Sequence, residues 1–437
     1  MTTPPAVARA NAVQVERQLA DVFSAKVVDR LRAVTGYNPR QRKATALCLL
    51  LIVVQAFLVG QAMSFARLRA LFIARFGAIR PRAFQLRFKS AAAVAFFRAA
   101  LGEAVRAVVT AADLHLEGPL ASFADVRVYD GTAVRVPPRG KVAWPASNHD
   151  RAGAKLLLGY SLKTGLLDEA AIAAETAGEL PLWRSLVPAL ERNVLYLLDL
   201  AYFDHDLFSH ADRVGAHLLM RLKSKTRVSV VGHQTDHGYV PLRPWALATY
   251  LSAASSARGT IYDLDVIWGR GRHALRLRLV GVSLGGRAGR RFYLTTVPRS
   301  RLSAKTAVDV YRLRWLIEIL NREIKQEADL GRCDTADAHA VAALAYGAMI
   351  GHVMVRSLRI CAALRSHLPL SELRPLATLH LVRAFASAIV DALADHDLTA
   401  WHRLVEIMTP LVVTVAWEPL PSRSRPRIAA RLGASGG

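Results

Sequence analysis

Apolar and polar positions divide the chain into distinct textures. Over residues 1–118 apolar residues recur at spacings of three and four, alanine is plentiful and strand-like alternation is absent, which predicts helices. The texture changes near residue 120. VRVYD (126–130) alternates apolar and polar residues, Gly131-Thr132 signals a turn and AVRVP follows, predicting strand, tight turn and second strand. AKLLLGYSLKTG (154–165) reads as a further strand ending at a glycine turn. LPLWRSLVPALER (180–192) carries Leu182, Leu186 and Leu190 at helical spacing, and VLYLLD (194–199) is a short apolar strand ending in an acid. Asp204 is placed to cap a helix over 205–213, and AHLLMRL (216–222) is another apolar strand.

Three strands followed by helix, strand, helix and strand imply a mixed sheet with helices packed on it. From 224 to 300 the segments TRVSVV, YDLDVIW, HALRLRLVGV and RRFYLTTV are strand-like, and WGRGRH (268–273) looks like a hairpin tip. A helix then runs over 304–326 with Ser303 as its cap, and 336–415 returns to helical texture. The tail 422–437 is basic, contains glycine and is expected to be disordered. The expected fold class is α/β, a mixed sheet with a β-rich insertion, flanked by N- and C-terminal helical regions. Its parts are 1–118 (helical), 119–223 (first part of the core), 224–302 (insertion), 303–360 (second part of the core, with the acidic helix) and 361–437 (helical region and basic tail).

The apolar run 44–60 (ATALCLLLIVVQAFLVG) sits at the short edge of membrane-spanning length. Gln55 interrupts it, and amphipathic helical text follows instead of a loop, so a buried core helix is the better reading and no membrane partner is expected.

Charge narrows the function. The 437 residues carry 58 Lys plus Arg against 34 Asp plus Glu, a formal charge of +24, while hydrophobic residues make up 52%. The second figure is ample for buried cores and the first points to a polyanion, nucleic acid foremost. Basic residues recur along the apolar helix pattern of 84–111, as on a DNA-contacting or simply solvated face. Cys48, Cys333 and Cys361 are scattered and give no disulfide framework or cysteine metal site. With no signal peptide evident, a cytoplasmic, nucleoid-associated protein is expected. His149, His205, His210, His233 and His237 fall in no ligand motif.

The chemistry concentrates in acids and their neighbours. On one continuous helix, Tyr311, Arg314, Glu318 and Lys325 would stand at roughly 0°, −60°, −20° and −40°, a single stripe. Taken alone it reads first as a surface face with an Arg314–Glu318 pair, worth ~0.2–0.5 kcal/mol. Two acids at strand ends, Asp130 and Asp199, change that weighing. Carboxylates converging from strand ends and a packed helix make an oxygen-rich site for Mg²⁺ or Mn²⁺, and arginine offers phosphate its forked donors.

Tyr311-x₂-Arg314-x₃-Glu318-x₆-Lys325 resembles the tyrosine–arginine–glutamate–lysine signature of DDE transposases of the insertion-sequence-four (IS-four) family. VYDGTAV (128–134) resembles the turn carrying that family's first acid. LLDLAYFD (197–204) resembles the segment carrying its second, with Leu200 and Ala201 in place of the usual Arg-Gly and Asp204 as a rival acid. Lys155 and Arg221 also resemble family positions. The resemblance covers about 120–330. It implies an RNase H-like core interrupted by a β-strand insertion, and an N-terminal helical domain that binds transposon ends. It further implies two Mg²⁺ ions (or Mn²⁺) held by Asp130, Asp199 and Glu318 for cleavage at transposon ends and 3′-OH strand transfer. Tyr311, Arg314, Lys325, Lys155, Arg221 and Trp268 would contact double-stranded DNA, the last by base stacking, within a homodimeric synaptic complex. A two-metal nuclease without strand transfer and an inactive DNA-binding relative share most of these features.

Overall fold

The computed structural model describes residues 5–39, 44–60, 64–112, 115–148, 150–286, 289–327 and 333–418; the tail over 422–437 lies outside them. The helical texture of 1–118 becomes α1 (Pro5–Asp21), α2 (Ala25–Thr35), α3 (Ala46–Leu58), α4 (Phe65–Phe76), α5 (Pro81–Gln85) and α6 (Ala91–Ala112). Ser24 and Thr45 cap α2 and α3, accepting from the amides of Val27 and Cys48. The apolar run resolves into α3, whose residues from Leu49 to Val54 and from Ala56 to Leu58 are all buried inside the protein.

The core follows as β1 (Asp125–Val136), β2 (Ala152–Ser161), β3 (Leu166–Ala174), α7 (Glu179–Leu186), β4 (Val194–Leu198), α8 (His205–Val214) and β5 (His217–Arg221). β1 and β2, and β2 and β3, are antiparallel, whereas β1–β4 and β4–β5 are parallel. This mixed sheet with its two interposed helices is the RNase H-like arrangement expected. Side chains alternate between two cores. Val126, Val128, Leu195 and Leu197 enter the one shared with the long helices, while Tyr129, Tyr196 and Leu198 join Trp183 and Phe208 under α7 and α8. Burial on both faces explains why VLYLL is unbroken apolar text.

One expectation needs correction. The turn predicted at Gly131-Thr132 does not form; β1 runs through it as one strand of 12 residues, and the third strand of the set is β3. The expected β-rich insertion follows as β6 (Val228–Thr235), β7 (Gly238–Ala246), β8 (Ile261–Trp268), β9 (Leu275–Ser283) and β10 (Arg290–Thr295), with the short α9 (Leu247–Ala253). They extend the core sheet to ten strands in the order β3-β2-β1-β4-β5-β10-β9-β8-β6-β7, because β10 returns antiparallel onto β5.

The predicted 304–326 helix is divided. α10 (Ala304–Tyr311), capped by Ser303, passes through a 3₁₀ turn at Arg312–Arg314 into α11 (Trp315–Glu327). Then comes α12 (Ala338–Ser366), with every residue from 340 to 363 buried, so the expected boundary at 360/361 falls inside a helix. α12 is long and apolar enough to cross a bilayer, but it is wrapped by α1, α3, α6, β3 and α15 (Leu398–Ala416). Its contact with α3 is close: a Cβ on Gly351 would lie 2.6 Å from the Phe57 side chain, and one on Gly347 2.8 Å from Val53. α13 (Pro375–Ala384) and α14 (Ala386–Ala394) complete this helical body.

Candidate active site

Strand pairing brings the first two acids together. In the parallel β1–β4 pair Val128 stands opposite Leu197, and two residues further along each chain come Asp130 and Asp199. Neighbouring strands lie ~4.8 Å apart, so the two acids share one edge of the sheet. Asp199 accepts from its neighbour Leu200 N at 2.7 Å and caps a 3₁₀ turn at Leu200–Tyr202. Its rival Asp204 is the N-cap of α8, accepting from Leu207 N at 3.0 Å, and is paired with Arg184 at 2.8 Å.

The third acid comes from α11, which lies across β1 and β2. Asn321 Nδ2 donates to Asp130 Oδ2 at 2.9 Å and ties the helix to the strand. Glu318, one turn earlier, is ion-paired with Arg314. Burial pushes the Asp130 carboxyl up to about 6; Arg314 opposes this, while Glu179 and Glu318 add to it. Burial works to lower the Arg314 pKa, but Asp199, Tyr311 and Glu318 hold it above its ordinary value.

Asp199 and Glu318 open onto a cavity of about 330 Å³ whose other walls include Arg221, Arg291, Arg312 and Arg314. Tyr293 and Tyr311 line it with ring centroids 4.5 Å apart, and Trp315, 52% exposed, stands at its side. Burial first and Asp199 second raise the Tyr311 pKa, and its hydroxyl donates to Leu198 O at 3.2 Å, which fixes the end of β4. An arginine-walled cavity with two acids suits a phosphodiester approached by hard cations.

Other residues singled out from sequence are disposed differently. Lys155 is half-buried and donates to Ala177 O at 2.5 Å, holding the segment that leads into α7 instead of lining the cavity. Trp268 is half-buried against Phe203 at 4.9 Å, His205 at 4.8 Å and Phe208 at 5.8 Å. It walls a separate cavity of about 600 Å³ with Lys223, Lys225, Arg227 and Arg270. The 3₁₀ turn breaks the even stripe expected from Tyr311 to Lys325, and the Lys325 side chain lies outside those described. His149 also lies outside the described residues.

Sequence reasoning missed several site residues. Arg291 and Tyr293 arrive through the β10–β5 pairing, which sets Tyr293 opposite Arg221. Asn321 is one turn beyond Glu318 on the same helix, a spacing that offered a signal. Glu179, at the start of α7, reaches over Gly131: a Cβ there would lie 2.8 Å from its Oε1, so a larger residue would push the carboxylate aside.

The residues fit divalent cations in kind. The donors are hard carboxylate oxygens, and Asn321 Oδ1, buried beside Asp130, has no hydrogen-bond partner. The site is not closed, however. Among the described residues no three acidic, histidine or cysteine side chains are gathered tightly enough to enclose an ion, because Glu318 is turned to Arg314.

Residues 121–354 match the family described as transposase DDE domain. The transposase for insertion sequence element IS231F from Bacillus thuringiensis subsp. israelensis is 22% identical over 265 residues; the match covers 53% of this chain and 56% of that protein, so the chain spans about half the length of the relative. A solved piggyBac transposase synaptic complex with hairpin DNA aligns with 94% of this chain and 86% of its own at 11% identity and a TM-score of 0.41. Through the match over 121–354, which takes in β1 to β10 and both elements of the acidic helix, the chain belongs to the transposase DDE domain family.

Proposed function

We propose that the chain is a DNA transposase that cuts at transposon ends and joins the freed 3′-OH to target DNA. The observation that carries this is the place where Asp130 and Asp199 each follow the last β1–β4 register pair by two residues, α11 is tied to Asp130 through Asn321, and four arginines wall the adjoining cavity. Asp130, Asp199 and Glu318 would hold two Mg²⁺, with Mn²⁺ able to substitute. Bound there, the ions would activate a water or a 3′-hydroxyl and stabilise the leaving 3′ oxygen.

The protein's own part is positioning. Arg221, Arg291 and Arg312 draw the backbone phosphates into the cavity. Arg314 presents its forked donors to the scissile phosphate, and a phosphate there takes over the donors that hold Glu318, freeing that carboxylate. Tyr311 keeps the end of β4, and with it Asp199, in place. Water attack breaks the bond to the 3′ oxygen and leaves a 3′-OH and a 5′-phosphate. In-line attack of that 3′-OH on target DNA then forms one phosphodiester as it breaks another, so no protein nucleophile is required. Two copies would hold two ends, as a homodimer.

The test is Glu318→Ala on DNA taken from the regions that flank the gene. End binding at the wild-type level with loss of Mg²⁺-dependent nicking is expected, and retained nicking rules out Glu318 as a ligand. Joining of labelled 3′ ends to a target plasmid separates a transposase from a nuclease that only cuts.

A further inference from the structure

The three acids leave part of this edge unexplained. Glu179 is the first residue of α7, where an acid ordinarily serves its own helix terminus. Here the carboxylate is turned inward. Its Oε1 reaches to 2.8 Å from where a Cβ on Gly131 would be, directly after Asp130 along β1. Lys155 shapes this approach: its stem passes within 3.5 Å of the same point, and its ammonium holds Ala177 O, two residues before Glu179. Tyr202 buries its ring here, with its phenol at hydrogen-bonding reach of the Glu179 carboxylate and within the field of Asp130 and Asp199. Among the described residues no lysine, arginine or histidine lies at ion-pair distance from Glu179, and the arginine that faces Asp130 is engaged with Glu318.

A second observation is independent of these acids. Asn321 is 7% exposed, its Nδ2 is fixed on Asp130, and its Oδ1 is buried with nothing to accept from. An acceptor stranded beside crowded carboxylates calls for a cation or the donor waters that surround one.

We propose that Glu179 contributes a fourth carboxylate to the divalent-cation site at Asp130, with Asn321 Oδ1 completing the oxygen surroundings on the helix side. This rests on the reading of Asp130 as a metal ligand. It also gives Gly131 a role: the glycine is the gap through which the fourth acid reaches the edge.

The test uses the full chain without DNA, titrated with Mn²⁺ and followed by the loss of free-ion electron paramagnetic resonance signal. Glu179→Gln is expected to weaken Mn²⁺ binding about tenfold, the lower end of what residues supporting a metal site contribute. Its melting temperature in EDTA should be no lower than that of the wild type, an outcome that mere loss of a structural contact would not give. Glu179→Asp, which keeps the charge but draws it back, should bind with intermediate affinity and guards against a glutamine variant that fails to fold. Asp130→Asn serves as the reference. If it weakens binding while both Glu179 variants bind like the wild type, the fourth carboxylate is refuted and the function stands. If neither position affects Mn²⁺ affinity, the assignment of Asp130 falls as well.

Discussion

Asp130→Asn should abolish cleavage and make the metal-free protein more stable. Burial, with Glu179 and Glu318 nearby, lifts this carboxyl from its ordinary 3.8 to about 6. Such a lift corresponds to ~3 kcal/mol of strain in the ionised form, and partial solvent access lowers that to about 2 kcal/mol. The asparagine keeps an oxygen for Asn321 Nδ2 and removes the charge. With an unfolding entropy of ~2.1 cal/mol/K per residue, about 2 kcal/mol in a chain of this length is a rise of roughly 2 °C. The sign follows from linkage. Below pH 3.8 the carboxyl is neutral in folded and unfolded chains alike, so the variant has no advantage; the advantage grows between pH 3.8 and about 6 and is constant above. Thermal melts of both proteins in EDTA at pH 4.5, 6 and 8 measure it. A variant that melts at or below the wild type at pH 8, or a gap that does not shrink at pH 4.5, would refute the claim that this edge is built at the expense of stability.

Other expectations concern the scaffold. Gly351→Ala should destabilise the chain by about 1–3 kcal/mol in urea melts, since its new methyl would press on Phe57 where α12 meets α3. Trp268→Ala should lower stability by about 2–3 kcal/mol through lost packing on Phe203, His205 and Phe208, with Trp268→Phe recovering much of it; an alanine variant that melts like the wild type would mean that the ring is not a packing element. Burial first, and then Arg301, lower the His217 pKa to about 4. Its contribution is therefore intact above pH 6.5 and is lost as pH falls toward 4, and His217→Gln should flatten the acid limb of a stability profile over that window.

What was legible in the chain was what is local. The unbroken VLYLL run, the capping residues Ser303 and Asp204, and the spacing from Tyr311 to Glu318 can each be read without knowing where the rest of the chain goes. The misreading at Gly131-Thr132 has the opposite origin. A glycine there favours a turn in isolation, yet the segment stays extended because it pairs with β2, and Glu179 closes over it from a helix start some 50 residues on, contacts no local rule carries. β3 was hidden because LLDEAAIAA has neither alternation nor β-branched enrichment; it becomes a strand by pairing with β2. The strands of 224–302 gave no sign of which sheet they would join, since that was decided when β10 paired with β5. Arg291 and Tyr293 entered the cavity by the same pairing, so their place could not be read from their neighbours in sequence.

The setting of α12 bears on how the molecule can be divided. The span shared with other transposases, 121–354, ends partway along this helix, whose flanks are sheathed by α1, α3 and α6 from one end of the polypeptide and by α15 from the other. A fragment trimmed to that span would lay bare a row of Leu, Ile, Met and Val side chains and leave the helix sawn through. Such a fragment should aggregate, and anyone wishing to isolate the catalytic half will have to carry both termini with it.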